Sequence, residues 1–242
     1  MGLINEVISS IFGSKEEKEE IKKIKKEAEF EGFKELKGMN GKLGEFDKFI
    51  SKPGKVGIIL GARGTGKSAL GMRILENVKA KTGEKCYVIG FNEKKLPKWI
   101  KSISTLGEIE NNSFLLADES GVNFSSRDSM SNANKLLSEL LLISRHKNIS
   151  ILFITQNSAN IEINTLRQAD YLLLKKSSLL QRDFERKKIR DIYDSVSEQF
   201  LKFESDAGLL YIYSDVYRGF VSNSLPSFWT EGLSKSYSAV RI

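Results

Sequence analysis

Eight consecutive residues, Gly61, Ala62, Arg63, Gly64, Thr65, Gly66, Lys67 and Ser68, match the phosphate-binding loop pattern G-x-x-x-x-G-K followed by Ser or Thr. Glycines let a backbone bend so that several N–H donors converge on one phosphate, with the positive end of the following helix behind them. Lys67 supplies a point charge for the β- and γ-phosphates, and the Ser68 hydroxyl suits Mg²⁺. The pattern follows an apolar run, "KVGIIL", and opens a helical one, which is the context such a loop requires. About 50 residues on, "NSFLLADES" runs four apolar residues into Asp118 and Glu119. Asp118 is placed to hold Mg²⁺ through water and Glu119 to act as general base on the attacking water. A glutamate beside the metal-binding aspartate favours hydrolysis of ATP over transfer to a substrate oxygen, because only water needs that base.

A third apolar run, "SILFITQN", ends in Gln156, which could sense the γ-phosphate. Arg145 in "LLISRHKN" ends a helix flanking that run. Projected into a neighbouring subunit, it would neutralise transition-state charge, an effect worth roughly 10³ to 10⁵ in rate. Arg167 is the substitute for that role. Helix ends also favour cations for electrostatic reasons alone, which suffices for His146.

These residues need a scaffold. "KVGIIL", "CYVIGF", "SFLLAD", "SILFIT" and "YLLLKK" read as strands buried on both faces of a parallel sheet. Helical stretches lie between them at Lys67 to Thr82, Pro97 to Leu106, Asp128 to Arg145 and Ser177 to Tyr193. The alternation predicts a three-layer α/β domain with a central, mostly parallel sheet over residues 51–204. Residues 1–50 read as a helical extension. Leu3, Ile4, Val7, Ile8, Ile11 and Phe12 trace an amphipathic helix, and a solvated Lys/Glu helix runs from Lys15 until Gly38, Gly41 and Gly44 break it. Residues 205–242 read as a β-hairpin, "GLLYIYSDVYRGFVS", and a tail.

The 242 residues suffice for one sizeable core. A single cysteine, Cys86, excludes an internal disulfide framework and a cysteine-built metal site, and one histidine argues against zinc. No apolar run reaches the roughly 18 residues needed to span a bilayer, so the expectation is a soluble protein of the cytoplasm. The net charge of +7 and pI near 9.3 permit a polyanion as partner. The excess is local: from Lys175 to Arg190 there are seven basic residues and two acidic ones.

With the loop, the Asp-Glu pair and the glutamine-ended strand together, the chain resembles the FtsK/HerA superfamily of ATP-driven DNA translocases. The diagnostic run is "SRHKNISILFITQNSANIEINTLRQADYLLLKKSS". Within that superfamily it looks like the small genome-packaging ATPases of membrane-containing and archaeal viruses, over roughly Lys55 to Ser195. The resemblance implies a RecA/ASCE-like P-loop NTPase that uses ATP and Mg²⁺, and a homo-oligomeric ring, commonly a hexamer, threading double-stranded DNA. By position it makes Lys67 and Ser68 nucleotide ligands, Asp118 the metal residue, Glu119 the base, Gln156 a sensor and Arg145 the candidate finger. DNA contact falls either to Arg127 in the polar stretch Gly121 to Asn134 or to the basic segment 176–190. The N-terminal helix docks on its own domain or a neighbouring subunit, or else on a membrane surface, and the tail around Trp229 docks on its own domain or on a capsid or membrane-associated partner. Two other readings share the same residues: an ATPase driving filamentous-virus or protein-secretion-type assembly, and a non-motor ATP-dependent switch.

Overall fold

A computed structural model describes residues 26–119, 129–230 and 232–233. The apolar runs line up as a nine-stranded sheet in the order β1-β9-β8-β7-β2-β6-β5-β3-β4. Its parallel part holds β7 (Tyr171–Leu174), β2 (Val56–Leu60), β6 (Ser150–Ile154), β5 (Ser113–Asp118), β3 (Lys85–Ile89) and β4 (Ile100–Ser102). All residues of β2, β5 and β6 are buried, because helices cover both faces and no side of these strands meets water. The antiparallel part is the hairpin β8 (Leu209–Ser214) and β9 (Tyr217–Ser222), closed by β1 (Lys34–Gly41) at the edge. The predicted hairpin thus extends the same sheet.

The helices are α1 (Leu43–Ile50), α2 (Lys67–Thr82), α3 (Ser129–Lys147), α4 (Ile163–Leu166), α5 (Leu179–Phe184), α6 (Lys187–Ser195) and α7 (Ser197–Lys202). On one face α1 and α2 pack Phe46, Leu70, Met72 and Leu75 against Ile59, Leu116 and Leu152. On the other, α3, α6 and α7 pack Leu137, Leu140, Ile192 and Phe200 against Ile58, Leu115 and Phe153. No helix of the described residues is long and apolar enough to cross a membrane.

Three stretches differ from their sequence patterns. Residues 34–41 form strand β1 instead of continuing a solvated helix, because the open edge of β9 offers a ladder of backbone partners that outweighs local propensity. Most of β1 is exposed, as edge strands tolerate, and polar Lys/Glu residues face solvent there. The stretch from Pro97 to Leu106 holds no α-helix: Ile100 is buried and pairs with Cys86 in β4, and a 3₁₀ turn follows at Leu106–Glu108. The basic helix from Ser177 to Tyr193 is two helices. It breaks at Glu185 and Arg186, where the buried Glu185 carboxylate accepts from the Ser158 N–H at 2.9 Å and from its hydroxyl. Arg186 Nε donates to the Ile161 carbonyl at 2.9 Å, and tertiary hydrogen bonds of this kind pull the chain out of a single helix. The amphipathic pattern of residues 3–12 lies outside the described residues.

Candidate nucleotide site

The glycine-rich loop leaves β2 and enters α2 through Gly66, whose φ of +82° is left-handed; Gly64 is at +79°. Gly61, at φ +151°, is bare for a second reason as well. A Cβ there would stand 2.6 Å from Cβ of Lys175, so the loop rests directly on the end of β7, where Ala62 N–H donates to the Lys176 carbonyl at 3.0 Å. The first helical bond of α2 runs from Leu70 N–H to Gly66 O, which leaves the N–H groups of Ser68 and Ala69 ahead of it at the positive end of a 16-residue helix. Thr65 Oγ1 donates to Ala62 O at 2.7 Å and braces the turn. Arg63 and Gly64 are exposed at its tip.

Lys67 is buried, and its Nζ donates to the carbonyls of Gly61 and Ala62, each at 2.8 Å. Burial pushes its pKa down, while Asp118 and Glu119 act in the opposite sense. Residues 50 apart along the chain then meet: Ser68 Oγ donates to Oδ2 of Asp118 at 2.7 Å, and Asp118 is 2 % exposed. A hydroxyl and a carboxylate, both hard oxygen donors, fit a magnesium ion that keeps most of its shell as water and phosphate oxygens. Glu119, half-buried, follows in a 3₁₀ turn, the last described residue before 129.

Parallel pairing explains the convergence. Asp118 pairs with Ile154, and Ile154 pairs with Ile59, so β2, β6 and β5 end in one row. Gln156 follows two residues after that row and is exposed, its backbone carbonyl accepting from the Gln181 side chain. Arg145 is elsewhere. The end of α3 is tied to the beginning of β5, with Asn112 N–H donating to Lys147 O at 3.0 Å. At about 3.3 Å per residue, the length of β5 separates Arg145 from the loop's end of the sheet by on the order of 15 Å. Arg145 is exposed there and donates to Gln168 Oε1 at 3.1 Å. Arg167, also exposed, precedes β7 at the same far end. Within one chain neither arginine joins the site.

The basic segment is partly committed to the fold. Lys175 is buried, Lys176 pairs with Glu204 and Arg182 with Asp194, Arg186 is held by carbonyls, and Arg190 donates to Asp183 O. Lys187 and Lys188 are exposed. Arg127, the alternative DNA contact, lies outside the described residues.

Sequence reasoning overlooked Lys175. Its Nζ donates to Gly208 O at 2.9 Å and Asn223 Oδ1 at 2.8 Å, tying β7 and the loop resting on it to both ends of the hairpin. The signal was available: a lysine continuing a buried strand must be satisfied inside. Burial pushes its pKa from 10.5 down to about 8. The folded state therefore releases this proton first. Between about pH 8 and 10.5 the unfolded chain holds more protons, so this lysine's contribution to stability rises with pH across that window; below pH 8 both states are charged and it is flat. Denaturant titrations at pH 7 and pH 9.5 should show wild type gaining on the order of 1–3 kcal/mol relative to Lys175→Met over that interval. Parallel pH profiles for the two proteins would refute the assignment.

A glycine-rich loop between a buried parallel strand and a helix, with a serine–aspartate pair closing over it, defines a P-loop NTPase. The family model described as zonular occludens toxin (Zot) matches residues 68–214, more than half of the chain. The chain belongs to that family, P-loop ATPases of the FtsK/HerA-like class, in agreement with the resemblance of its motifs. Among solved structures it is similar to the DNA-packaging ATPase of Sulfolobus Turreted Icosahedral Virus, with 12% identity, TM-score 0.48, and 72% of this chain and 99% of that one covered. It is also similar to the genome-packaging NTPase of Sulfolobus turreted icosahedral virus 2 in complex with AMPPCP, with 12% identity, TM-score 0.44 and coverage of 71% and 98%. A KaiC-like protein from Pyrococcus horikoshii gives 13% identity, TM-score 0.37 and coverage of 51% and 72%. No curated protein matches the chain.

Proposed function

We propose that this chain binds and hydrolyses ATP at the loop and uses the cycle to move double-stranded DNA, as a genome-packaging motor does. One observation supports the chemistry above the others: Ser68 and Asp118, far apart in sequence, share a 2.7 Å hydrogen bond at the mouth of the sheet, beside the buried Lys67. Loop N–H groups and the α2 terminus hold the phosphates, and Lys67 exchanges its loop carbonyls for β- and γ-phosphate oxygens. Ser68 and Asp118 hold the magnesium ion, which when bound neutralises charge on those oxygens. Glu119 takes a proton from the attacking water, and Gln156 orients that water or reads the terminal phosphate. The far-end position of Arg145 suits a role in trans: in a ring, one subunit's arginine would complete its neighbour's site.

Hydrolysis should rise several-fold on adding double-stranded DNA and lose that stimulation between roughly 50 and 200 mM salt, because contacts to the phosphate backbone release counterions. A rate indifferent to DNA at low salt would remove the motor reading and leave the ATPase. The commitment of Lys175 and Arg186 to internal carbonyls, with Lys176 and Arg182 paired at the surface, favours a second reading, an ATPase that drives virus or protein assembly, which predicts that flat response.

A further inference from the structure

Strand β6 ends at Ile154, and Thr155 N–H still donates to Ile59 O at 3.0 Å. Past that bond residues 156–161 run on without a strand partner. A side chain offered to a terminal phosphate from such a stretch, as Gln156 is, needs something other than the sheet to fix it. The junction of α5 and α6 supplies the contacts. Gln181 Nε2 donates to the Gln156 carbonyl and, at 3.3 Å, to Glu185 Oε1. Glu185 Oε2 accepts from the Ser158 N–H at 2.9 Å and from the Ser158 hydroxyl. Arg186 closes the other side: its backbone N–H donates to Ser158 Oγ at 3.2 Å, and its guanidinium donates to the carbonyls of Ser158 at 3.1 Å, Ala159 at 3.4 Å and Ile161 at 2.9 Å.

Resting on the reading that Gln156 meets the γ-phosphate or the attacking water, we propose that Gln181 and Glu185 are positioning residues that set Gln156 for that task. Two features point beyond ordinary loop packing. Glu185 is 5% exposed, and a carboxylate buried among neutral donors is costly to keep where a solvated side chain would serve. The helix also gives way to the clasp: α5 stops at Phe184, and residues 185 and 186 turn back to Ser158. Gln181 joins the two ends, because one amide nitrogen meets both the backbone of Gln156 and the buried carboxylate. Glu185 fixes that amide, and the amide fixes the sensor's turn. Reacting geometry tolerates little slack, since a displacement of about 1 Å can cost on the order of 10²-fold in rate.

Turnover by phosphate release and ADP affinity by calorimetry, on the full chain, test this. Gln181→Ala should lower kcat by about 10–100-fold while ADP affinity stays within about twofold, because ADP has no γ-phosphate for Gln156 to meet. Gln181→Lys, whose ammonium can donate to both acceptors, should keep kcat within about threefold of wild type. Gln156→Ala should be as slow as Gln181→Ala, and the double variant no slower than either, because both act through one group. Wild-type turnover in Gln181→Ala beside a slow Gln156→Ala would overturn the positioning role and leave the sensor intact. So would losses that multiply in the double variant, a Gln181→Lys as slow as Gln181→Ala, or ADP affinity that falls along with kcat. Wild-type turnover in Gln156→Ala would remove the sensor reading itself, and the proposal with it. Gln181 is half-buried, so its variants carry the test where truncating the buried Glu185 would disturb folding.

Discussion

Glu119→Gln keeps ATP bound while turnover falls by about 10²–10⁴, whereas Lys67→Ala loses the nucleotide altogether. The split follows from where each group stands. Lys67 is buried inside the loop with its Nζ donating to two loop carbonyls. Removing it leaves the phosphates without their nearest cation at a site where burial magnifies each charge. Glu119 is half-buried at the end of β5, next to the residue that Ser68 contacts, and its amide counterpart is nearly isosteric but takes no proton. Binding measured by calorimetry and hydrolysis by phosphate release, on the same preparations, separate the two roles. Loss of binding in both variants, or normal turnover in Glu119→Gln, would contradict them. Mixing Arg145→Ala with Glu119→Gln adds the oligomeric test: recovered activity in the mixture requires sites shared between subunits, and no recovery where rings form removes the trans role.

Glu76→Ala should cost on the order of 3–5 kcal/mol of stability and release both terminal segments from the domain. Glu76 is 0% exposed on the outer side of α2, the helix that the phosphate loop opens. Its carboxylate pairs with Arg73 at 2.9 Å, and it accepts from Glu29 N–H at 3.3 Å, from Ser227 N–H at 3.0 Å and from the Ser227 hydroxyl. Arg73 also reaches Glu31 and the Leu225 carbonyl, and Asn77 exchanges two hydrogen bonds with the backbone of Glu31. One polar cluster thus fastens the chain before β1 and the chain after β9 to the helix behind the nucleotide. Truncating Glu76 removes the buried carboxylate nearest the Arg73 guanidinium, leaving only the half-exposed Glu31 as its counter-charge, and takes the acceptor from the Glu29 and Ser227 N–H groups, which is why the expected cost far exceeds that of an exposed pair. Glu31→Ala, at a side chain 58% exposed, should change stability by no more than about 1 kcal/mol. Denaturant midpoints check the size of both effects, and limited proteolysis near residues 26–33 and 223–230 checks the release. A Glu76→Ala midpoint equal to that of Glu31→Ala would refute the clamp, and Arg73→Met combined with Glu76→Leu should recover part of the loss.

The sequence by itself determined the parts of this protein whose physics is local. The eight loop residues are legible because a backbone that must curl around phosphate needs glycine at fixed positions, and α2 was readable from Lys67 to Thr82 without error at either end. Strands buried on both faces announce themselves as unbroken apolar runs, so β2, β5, β6 and β7 and the delivery of Asp118 could be read in advance. What tertiary structure decided is partnership across distance. Residues 34–41 carry helix-forming lysine and glutamate, yet become a strand because β9 presents an unpaired edge. The basic run 175–190 reads as one charged helix, yet Glu185 and Arg186 break it by bonding to Ser158 and Ile161. Arg145 is a helix-end arginine in any reading, and only the parallel register of the sheet sets it at the far end from the loop. Arg73 and Glu76 look like solvated charges until the fold surrounds them. Charge in a sequence states what a side chain carries; which partner neutralises it is chosen by packing, where burial makes an unpaired charge too costly to leave alone.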